Sequence, residues 1–356
     1  MKRVMLTVGL AAVMVATGWA GQAPPNLSGT WRPQNPNNGQ VNPFEFTITQ
    51  TADSVTIRTP LNIPESVTLK VNGEEVRTQS GGGQGSPGPT VTSRATWEGS
   101  KLVVMSAVSG GRGGPSSARQ AYSISGDTLT LETSNSLPDG SMSQVRTVPF
   151  VKYTPVPMPA PPSRTVESGY VSLFNGKDLT GWKASANPDS FKVEKGAIVA
   201  NAVGQPSHLF YDGSVGNHSF KDFDVRLDVL ARYRSNGGVY VMTEFQPQGF
   251  PGKGFEIQVN NSHSDRIRTG SLYHVVDLSN VPGKDDEWIP MEIKGEANTI
   301  TISLKGQEVV RWTQPADWQS NYDTASRKIG PGTIAFQSHD TYSVTAYANI
   351  RVKLLN

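Results

Sequence analysis

Short runs of alternating apolar and polar residues recur along almost the whole sequence, and no segment of useful length carries the helical period. A chain patterned this way folds as β-structure with one face of each strand buried. In the first part the runs fall at residues 44–50, 54–58, 66–71, 94–97, 101–105, 121–124 and 128–132. Turn signals such as Asn72-Gly73 and Gly126-Asp127 separate them. Seven or eight short antiparallel strands in this length predict a small β-barrel or meander over residues 24–153. Beyond it, ten to twelve strands in residues 166–356 predict a two-sheet antiparallel sandwich. Between the two lies Thr-Pro-Val-Pro-Met-Pro-Ala-Pro-Pro-Ser-Arg-Thr at 154–165. Its five prolines cannot pair as a strand, and they predict an extended, semi-rigid linker. The fold class is therefore all-β in two domains.

Residues 1–23 carry Lys2 and Arg3, an apolar run from Val4 to Ala16, and small residues near Ala20 to Ala23. This is the pattern of a secretory signal peptide cleaved near Ala20–Ala23, too short to be a membrane span. It predicts a periplasmic or secreted protein. No cysteine occurs, so disulfide scaffolds, thiolate metal sites and cysteine nucleophiles are excluded. Removal of Lys2 and Arg3 with the leader leaves 30 basic against 30 acidic residues. No basic run marks a nucleic-acid or membrane-surface partner. A neutral carbohydrate is the expected partner.

The glycine-rich stretches at 81–88 and 110–114 have no helix after them, so they are read as mobile hairpin tips rather than phosphate loops. The segment Asn26-Leu-Ser-Gly-Thr-Trp31 resembles the Gly-x-Trp start of lipocalin-like barrels, where the Trp plugs the base.

The most informative strand is Gly254-Phe-Glu-Ile-Gln-Val-Asn260. Alternation puts Glu256, Gln258 and Asn260 on one face and Phe255, Ile257 and Val259 on the other. A carboxylate beside a carboxamide on a rigid strand suits sugar recognition, although a solvated sheet face would read the same way. The paired carboxylates of a conventional glycosidase are missing. The same-face neighbours of Glu256 are Gln and Asn, not the acidic residues of the Glu-x-Asp-x-x-Glu strand of jelly-roll laminarinases.

Several segments together resemble the 3-keto-disaccharide hydrolase family of concanavalin A-like jelly rolls. They are Ser172-Leu-Phe-Asn-Gly-Lys-Asp-Leu-Thr-Gly-Trp182, Asp222-Phe-Asp-Val-Arg-Leu227, Asn236-Gly-Gly-Val-Tyr240, Phe255-Glu-Ile-Gln258, Thr269-Gly-Ser-Leu-Tyr273, Glu287-Trp288, Ile334-Ala-Phe-Gln-Ser-His339 and Asn349-Ile-Arg351. Four positions depart from the family pattern. Ile289 replaces Asn, Ser338 replaces Asp, Ala348 replaces Arg, and Asn261 replaces Asp. Each departure is expected to remove a polar group from or near the site.

The resemblance implies cleavage of glycosides already oxidised at one ring hydroxyl. The ketone acidifies the neighbouring C–H, a base removes that proton, the glycosidic oxygen leaves, and water adds back. Such a route needs one base, one proton carrier and donors to an enolate. Glu256 is assigned as the base or orienting carboxylate, and His339 as the proton carrier. Gln258, Gln337 and Asn236 are assigned to ring hydroxyls or the ketone, although an Asn-Gly-Gly turn would also explain Asn236. Tyr273 and Trp288 are assigned to stacking on sugar faces, and His263 and Arg268 to the rim. His208 and His218 rank below these. No His-x-His or His-Glu-x-x-His spacing occurs, so no metal or other cofactor is expected, with room left for a structural calcium ion. A partner sugar oxidoreductase is implied by the resemblance alone. The alternative function is a non-catalytic carbohydrate-binding protein.

Overall fold

The computed structural model describes residues 23–34, 45–59, 66–79, 89–110, 114–154, 156–319 and 327–355. Residues 1–22 of the expected leader (1–23), the glycine-rich stretch at 81–88 and the centre of the one at 110–114 lie outside the described residues. The chain divides into two compact units, 1–155 and 156–356.

Among its described residues the first unit has ten strands: β1 (Gly29–Pro33), β2 (Phe46–Gln50), β3 (Ser54–Arg58), β4 (Ser66–Lys70), β5 (Val76–Gln79), β6 (Thr90–Glu98), β7 (Lys101–Ser109), β8 (Ser116–Ser125), β9 (Thr128–Asn135) and β10 (Arg146–Tyr153). They form one antiparallel sheet in the order β4-β3-β2-β1-β10-β9-β8-β7-β6-β5. The chain leaving β4 swings onto β6 through an Asn72–Thr96 bridge and a Gly73 N–H donated to the Ala95 carbonyl at 2.9 Å. That contact nearly closes the barrel and protects edges that would otherwise invite pairing. Trp31, Phe46, Ile48, Leu69, Leu102 and Phe150 fill the interior. The Trp31 indole donates to the Leu27 carbonyl at 2.9 Å, so its polar atom is satisfied inside the barrel. Among the described residues ten strands stand where seven or eight were expected. β10 escaped because Pro149 interrupts its alternation, although Val148 and Phe150 still point inward.

The second unit continues with β11 (Val171–Ser172), β12 (Trp182–Ala184), β13 (Phe191–Glu194), β14 (Ala197–Ala200), β15 (Ser207–Tyr211), β16 (Phe223–Ala231), β17 (Gly237–Thr243), β18 (Phe255–Val259), β19 (Ile289–Glu296), β20 (Thr299–Leu304), β21 (Gln307–Thr313), β22 (Thr333–Ser338) and β23 (Thr345–Leu354). One sheet runs β13-β14-β23-β16-β19-β20-β21, with β11 on β23; the other runs β12-β15-β22-β17-β18. Val225, Val229, Ile293 and Ile350 of the first sheet share one apolar core with Leu209, Val239, Ile257 and Phe336 of the second. This is the jelly-roll sandwich the alternation predicts. Among the described residues no helix is long and apolar enough to cross a membrane.

The proline-rich segment, expected as an extended, semi-rigid linker, also makes specific contacts. From residue 156 onward it is laid along the eight-stranded sheet. Lys195 Nζ donates to the Met158 carbonyl (2.7 Å), the Trp288 indole to Pro159 (3.0 Å) and Asn349 Nδ2 to Pro162 (2.8 Å). Met158 is buried among Ala197, Val199, Leu230, Ala346 and Ala348. A proline-rich chain has carbonyls to offer but few N–H groups, so side-chain donors from the sheet hold it.

Candidate active site

The five-stranded sheet turns one face into the sandwich and the other away from it. Register aligns the second face in two rows. His208 on β15 stands opposite Gln337 on β22, and Gly238 on β17 opposite Gln258 on β18. In the neighbouring row Phe210 pairs with Ala335, Ala335 with Tyr240, and Tyr240 with Glu256. Three of the residues assigned from sequence, Glu256, Gln258 and Gln337, therefore meet on one face.

Glu256 is 5 % exposed. Tyr240 donates its hydroxyl to Glu256 Oε2 at 2.8 Å, and Gln337 Nε2 donates to that hydroxyl at 3.2 Å. With its amide nitrogen turned to the Gly237 carbonyl (2.9 Å), Gln258 also reaches Glu256 Oε1 at 3.3 Å. Burial pushes the Glu256 carboxyl up to about 7, against the opposing pull of the Tyr240 hydrogen bond and the charges of Arg327 and His339. Burial likewise drives the Tyr240 phenol well above its ordinary value, so it remains a fixed donor.

Gly238 makes this arrangement possible. A Cβ at that position would lie 2.4 Å from Glu256 Oε1, so only glycine leaves space for the carboxylate over β17. A Cβ on Gly237 would meet Thr345 Oγ1 at 2.8 Å. The Asn-Gly-Gly run thus opens a strand with both faces crowded, and the turn reading is corrected. Asn236, almost fully buried, donates its backbone N–H to Ser343 Oγ (2.8 Å), and its carboxamide lies 3.2 Å from that of Gln258.

His339 follows β22 and bonds Asp340 Oδ2 through Nδ1 at 2.8 Å. Burial alone would raise the Asp340 carboxyl, but hydrogen bonds from His339, Tyr342 and Ser343 outweigh it and hold it at about 2. A permanently charged Asp340 orients the imidazole. The His339 ring lies 6.0 Å from those of His263 and Phe250. Phe250, 50 % exposed on the β17–β18 connection, also lies 5.8 Å from His208.

The remaining assigned residues divide. His263 stays beside His339, and its imidazole is pushed down chiefly by burial. Arg268 ties its own loop together, donating to Asn260 Oδ1 (3.2 Å) and the His263 carbonyl (3.0 Å). Asn260 is fully buried and braces the same loop through the Asp265 and Ile267 carbonyls. Tyr273 donates a backbone N–H to the Glu256 carbonyl at 2.9 Å and its hydroxyl to Asp265 Oδ2 at 3.1 Å. Trp288 is not on this face. It precedes β19 and packs in the cluster that covers Met158, so its expected sugar contact is corrected to a contact with the proline-rich segment.

The departures from the family pattern move as well. Ile289 lies in the apolar core and Ala348 in the Met158 cluster, both on the eight-stranded sheet. Neither removes a polar group from the Glu256 face, contrary to expectation. Asn261 accepts from Thr269 Oγ1 (2.6 Å) in the loop after β18, and Ser338 ends β22.

Sequence reasoning missed Tyr240, Gly238 and Arg327, and ranked His208 too low. The period-two signal could have found Tyr240 and Gly238, which share a face of β17. Nothing local marks Arg327, whose charge reaches Glu256 from outside the sheet. Among the described residues no group of three or more His, Asp or Glu is placed to hold a metal ion.

The sandwich is similar to several solved structures. A candidate glycosyl hydrolase of Parabacteroides distasonis ATCC 8503 is 20 % identical, covering 53 % of this chain and 94 % of its own, with a TM-score of 0.46. A carbohydrate-binding module of Bacillus subtilis is 10 % identical, covering 52 % and 95 %, with a TM-score of 0.33. The laminarinase of Rhodothermus marinus is 9 % identical, covering 52 % and 95 %, with a TM-score of 0.35. No curated protein matches the sequence. A family model described as the 3-keto-alpha-glucoside-1,2-lyase-like domain matches residues 169–353, and the chain belongs to that family.

Proposed function

We propose that the protein cleaves 3-keto-glycosides by elimination followed by hydration, with Glu256 as the base. The observation that carries this reading is a buried carboxyl near pH 7 whose hydrogen-bond partner is a neutral phenol. A base titrating at the working pH is suited to removing a weakly acidic proton. The ring ketone supplies that acidity at the adjacent carbon. Glu256 takes the proton and an enolate forms. As the enolate collapses to a carbon–carbon double bond, the C1–O bond breaks and the aglycone leaves with a proton from His339. Water then adds at C1, a proton returns to C2, and the sum is hydrolysis.

The positive charge of Arg327 near Glu256 favours anionic states on this face. The Asp340-oriented His339, about one third exposed, can exchange protons with solvent. The alternative of a non-catalytic sugar-binding protein drew on the family departures. Two of them, Ile289 and Ala348, sit on the other sheet and no longer argue for it.

The test uses an aryl 3-keto-glucoside with the unoxidised aryl glucoside as control, following aryl alcohol release by absorbance. Release is expected from the keto compound alone, falling by about 10²–10⁴ in Glu256→Gln. Release from neither compound would sink the proposal. In D₂O, elimination places deuterium next to the ketone at early conversion, and direct hydrolysis does not.

A further inference from the structure

On the same face, one row away from Glu256, His208 is fully buried, and neither ring nitrogen has a hydrogen-bond partner among the described residues. Gln337 stands opposite it in register, 2 % exposed. Gln337 spends its nitrogen on Tyr240, while its Oε1 has no partner among the described residues. Each buried polar group left unpaired costs about 1–3 kcal/mol. Leucine at 208 would avoid that cost among neighbours such as Phe210, Tyr240 and Phe250. Two adjacent unsatisfied groups, linked through Tyr240 to the proposed base, point to a ligand rather than to core packing.

We propose that His208 and Gln337 form a neutral subsite that takes one intact hydroxyl of the sugar ring, covered on its open side by Phe250. This rests on the reading of the face as a sugar site and adds what its second row selects. Gln337 Oε1 only accepts, so its partner must donate. A neutral imidazole offers one donor and one acceptor. A hydroxyl can donate to Gln337 Oε1 and accept from the His208 N–H. A ketone or a carboxylate only accepts and leaves Gln337 unsatisfied. The subsite therefore places a hydroxyl, not the oxidised carbon, over His208. Burial and the charge of His339 keep His208 neutral, its imidazole pushed down to about 3. It is a recognition group and not a second proton carrier.

The division of labour between the histidines follows from exposure. His339 is open to solvent and bonded to a carboxylate, whereas His208 is closed off and has no hydrogen-bond partner among the described residues. Phe250 lies against both rings at 5.8 and 6.0 Å, so a sugar reaching His208 displaces it.

The experiment titrates the whole protein calorimetrically with p-nitrophenyl glucosides of both anomers and with their monodeoxy forms, in the native protein and in His208→Leu. An apolar residue of similar size should leave the fold intact. In the native protein, loss of one particular hydroxyl should weaken binding about 5–100-fold. His208→Leu should lose a similar factor toward the parent glucoside and should no longer distinguish that deoxy form. The five histidines give a second readout without mutation. With ¹⁵N-labelled imidazoles, the His208 signals should shift on binding while those of exposed His218 stay fixed.

His208→Leu binding that matches the native protein, or that retains the deoxy discrimination, would overturn the subsite. So would the absence of binding by every probe. Turnover of the aryl 3-keto-glucoside is measured on the same samples and separates the two readings. Turnover without the His208 coupling rejects the subsite and leaves the reaction standing. Coupling without turnover does the reverse.

Discussion

Asp228 on one sheet of the sandwich and Glu256 on the other are both buried carboxylates, and the two are handled in opposite ways. Asp228 on β16 is 0 % exposed and accepts from Arg164 Nε and Nη2, both at 2.6 Å, and from Asn349 Nδ2 at 2.7 Å. Glu256 on β18 is nearly as deep and accepts from a phenol. A buried charge must be paired or must shift its titration. Asp228 is paired, and the hydrogen bonds that pair it raise the Arg164 guanidinium still further. Glu256 has its titration moved instead. The paired carboxylate fastens the end of the proline-rich segment to the sheet. The shifted one can exchange a proton near neutrality, which is what a catalytic base requires.

The largest test of this contrast exchanges the consequences. Asp228→Ala leaves Arg164 and Asn349 facing an apolar gap and should cost about 3 kcal/mol or more of stability. Turnover per folded molecule should be unchanged, because no described contact links Asp228 to the Glu256 face. Glu256→Gln should do the reverse, cutting turnover by about 10²–10⁴ without lowering the denaturation midpoint, because it removes a carboxyl whose ionisation burial opposes. Urea unfolding of both variants, with activity measured on the folded fraction, decides it. A Glu256→Gln protein as unstable as Asp228→Ala would make Glu256 a structural residue.

The same contrast explains what was legible beforehand. Period-two alternation placed Glu256, Gln258 and Asn260 on one face and located the sandwich, because those positions depend only on the pleat. The strand carrying His208 was invisible. Ser207–Tyr211 is buried on both sides, so it lacks alternation, and a five-residue run without period reads as anything. His208 was undervalued for that reason. Trp288 failed differently. An aromatic at a strand start signals burial but not which of two sheets it covers. Arg327 reaches the site from a distant part of the chain, and no local pattern encodes such an approach.

Acidity sharpens the contrast by sign. The Glu256 carboxyl rises from 4.5 to about 7 on folding, so the native state holds the extra proton across that interval. Stability should therefore fall as pH climbs from about 4.5 to about 7, by at most ~3 kcal/mol. His208 falls from 6.5 to about 3, so the unfolded chain holds the extra proton. That contribution is present above pH 6.5 and is lost as pH drops below it. Melting curves from pH 5 to pH 8 should gain a steeper upward slope with pH in Glu256→Gln and a weaker one in His208→Leu. Unchanged slopes in both variants would mean that neither group titrates as its burial dictates.

The smallest effect probes the eight-stranded sheet alone. Trp288→Phe keeps an aromatic ring over the Met158 cluster but removes the indole N–H that reaches the Pro159 carbonyl at 3.0 Å. The loss should be about 1 kcal/mol, the ordinary net value of such a bond. Glucoside binding should not move, since the residue holds the proline-rich segment and does not face Glu256. Equilibrium unfolding and calorimetric titration of one sample read both quantities. If binding weakened tenfold while stability held, Trp288 would return to the sugar site, and the division between a fastening sheet and a reacting sheet would fail. If only stability moved, the family's Glu-Trp pair would here serve to seat the proline-rich segment.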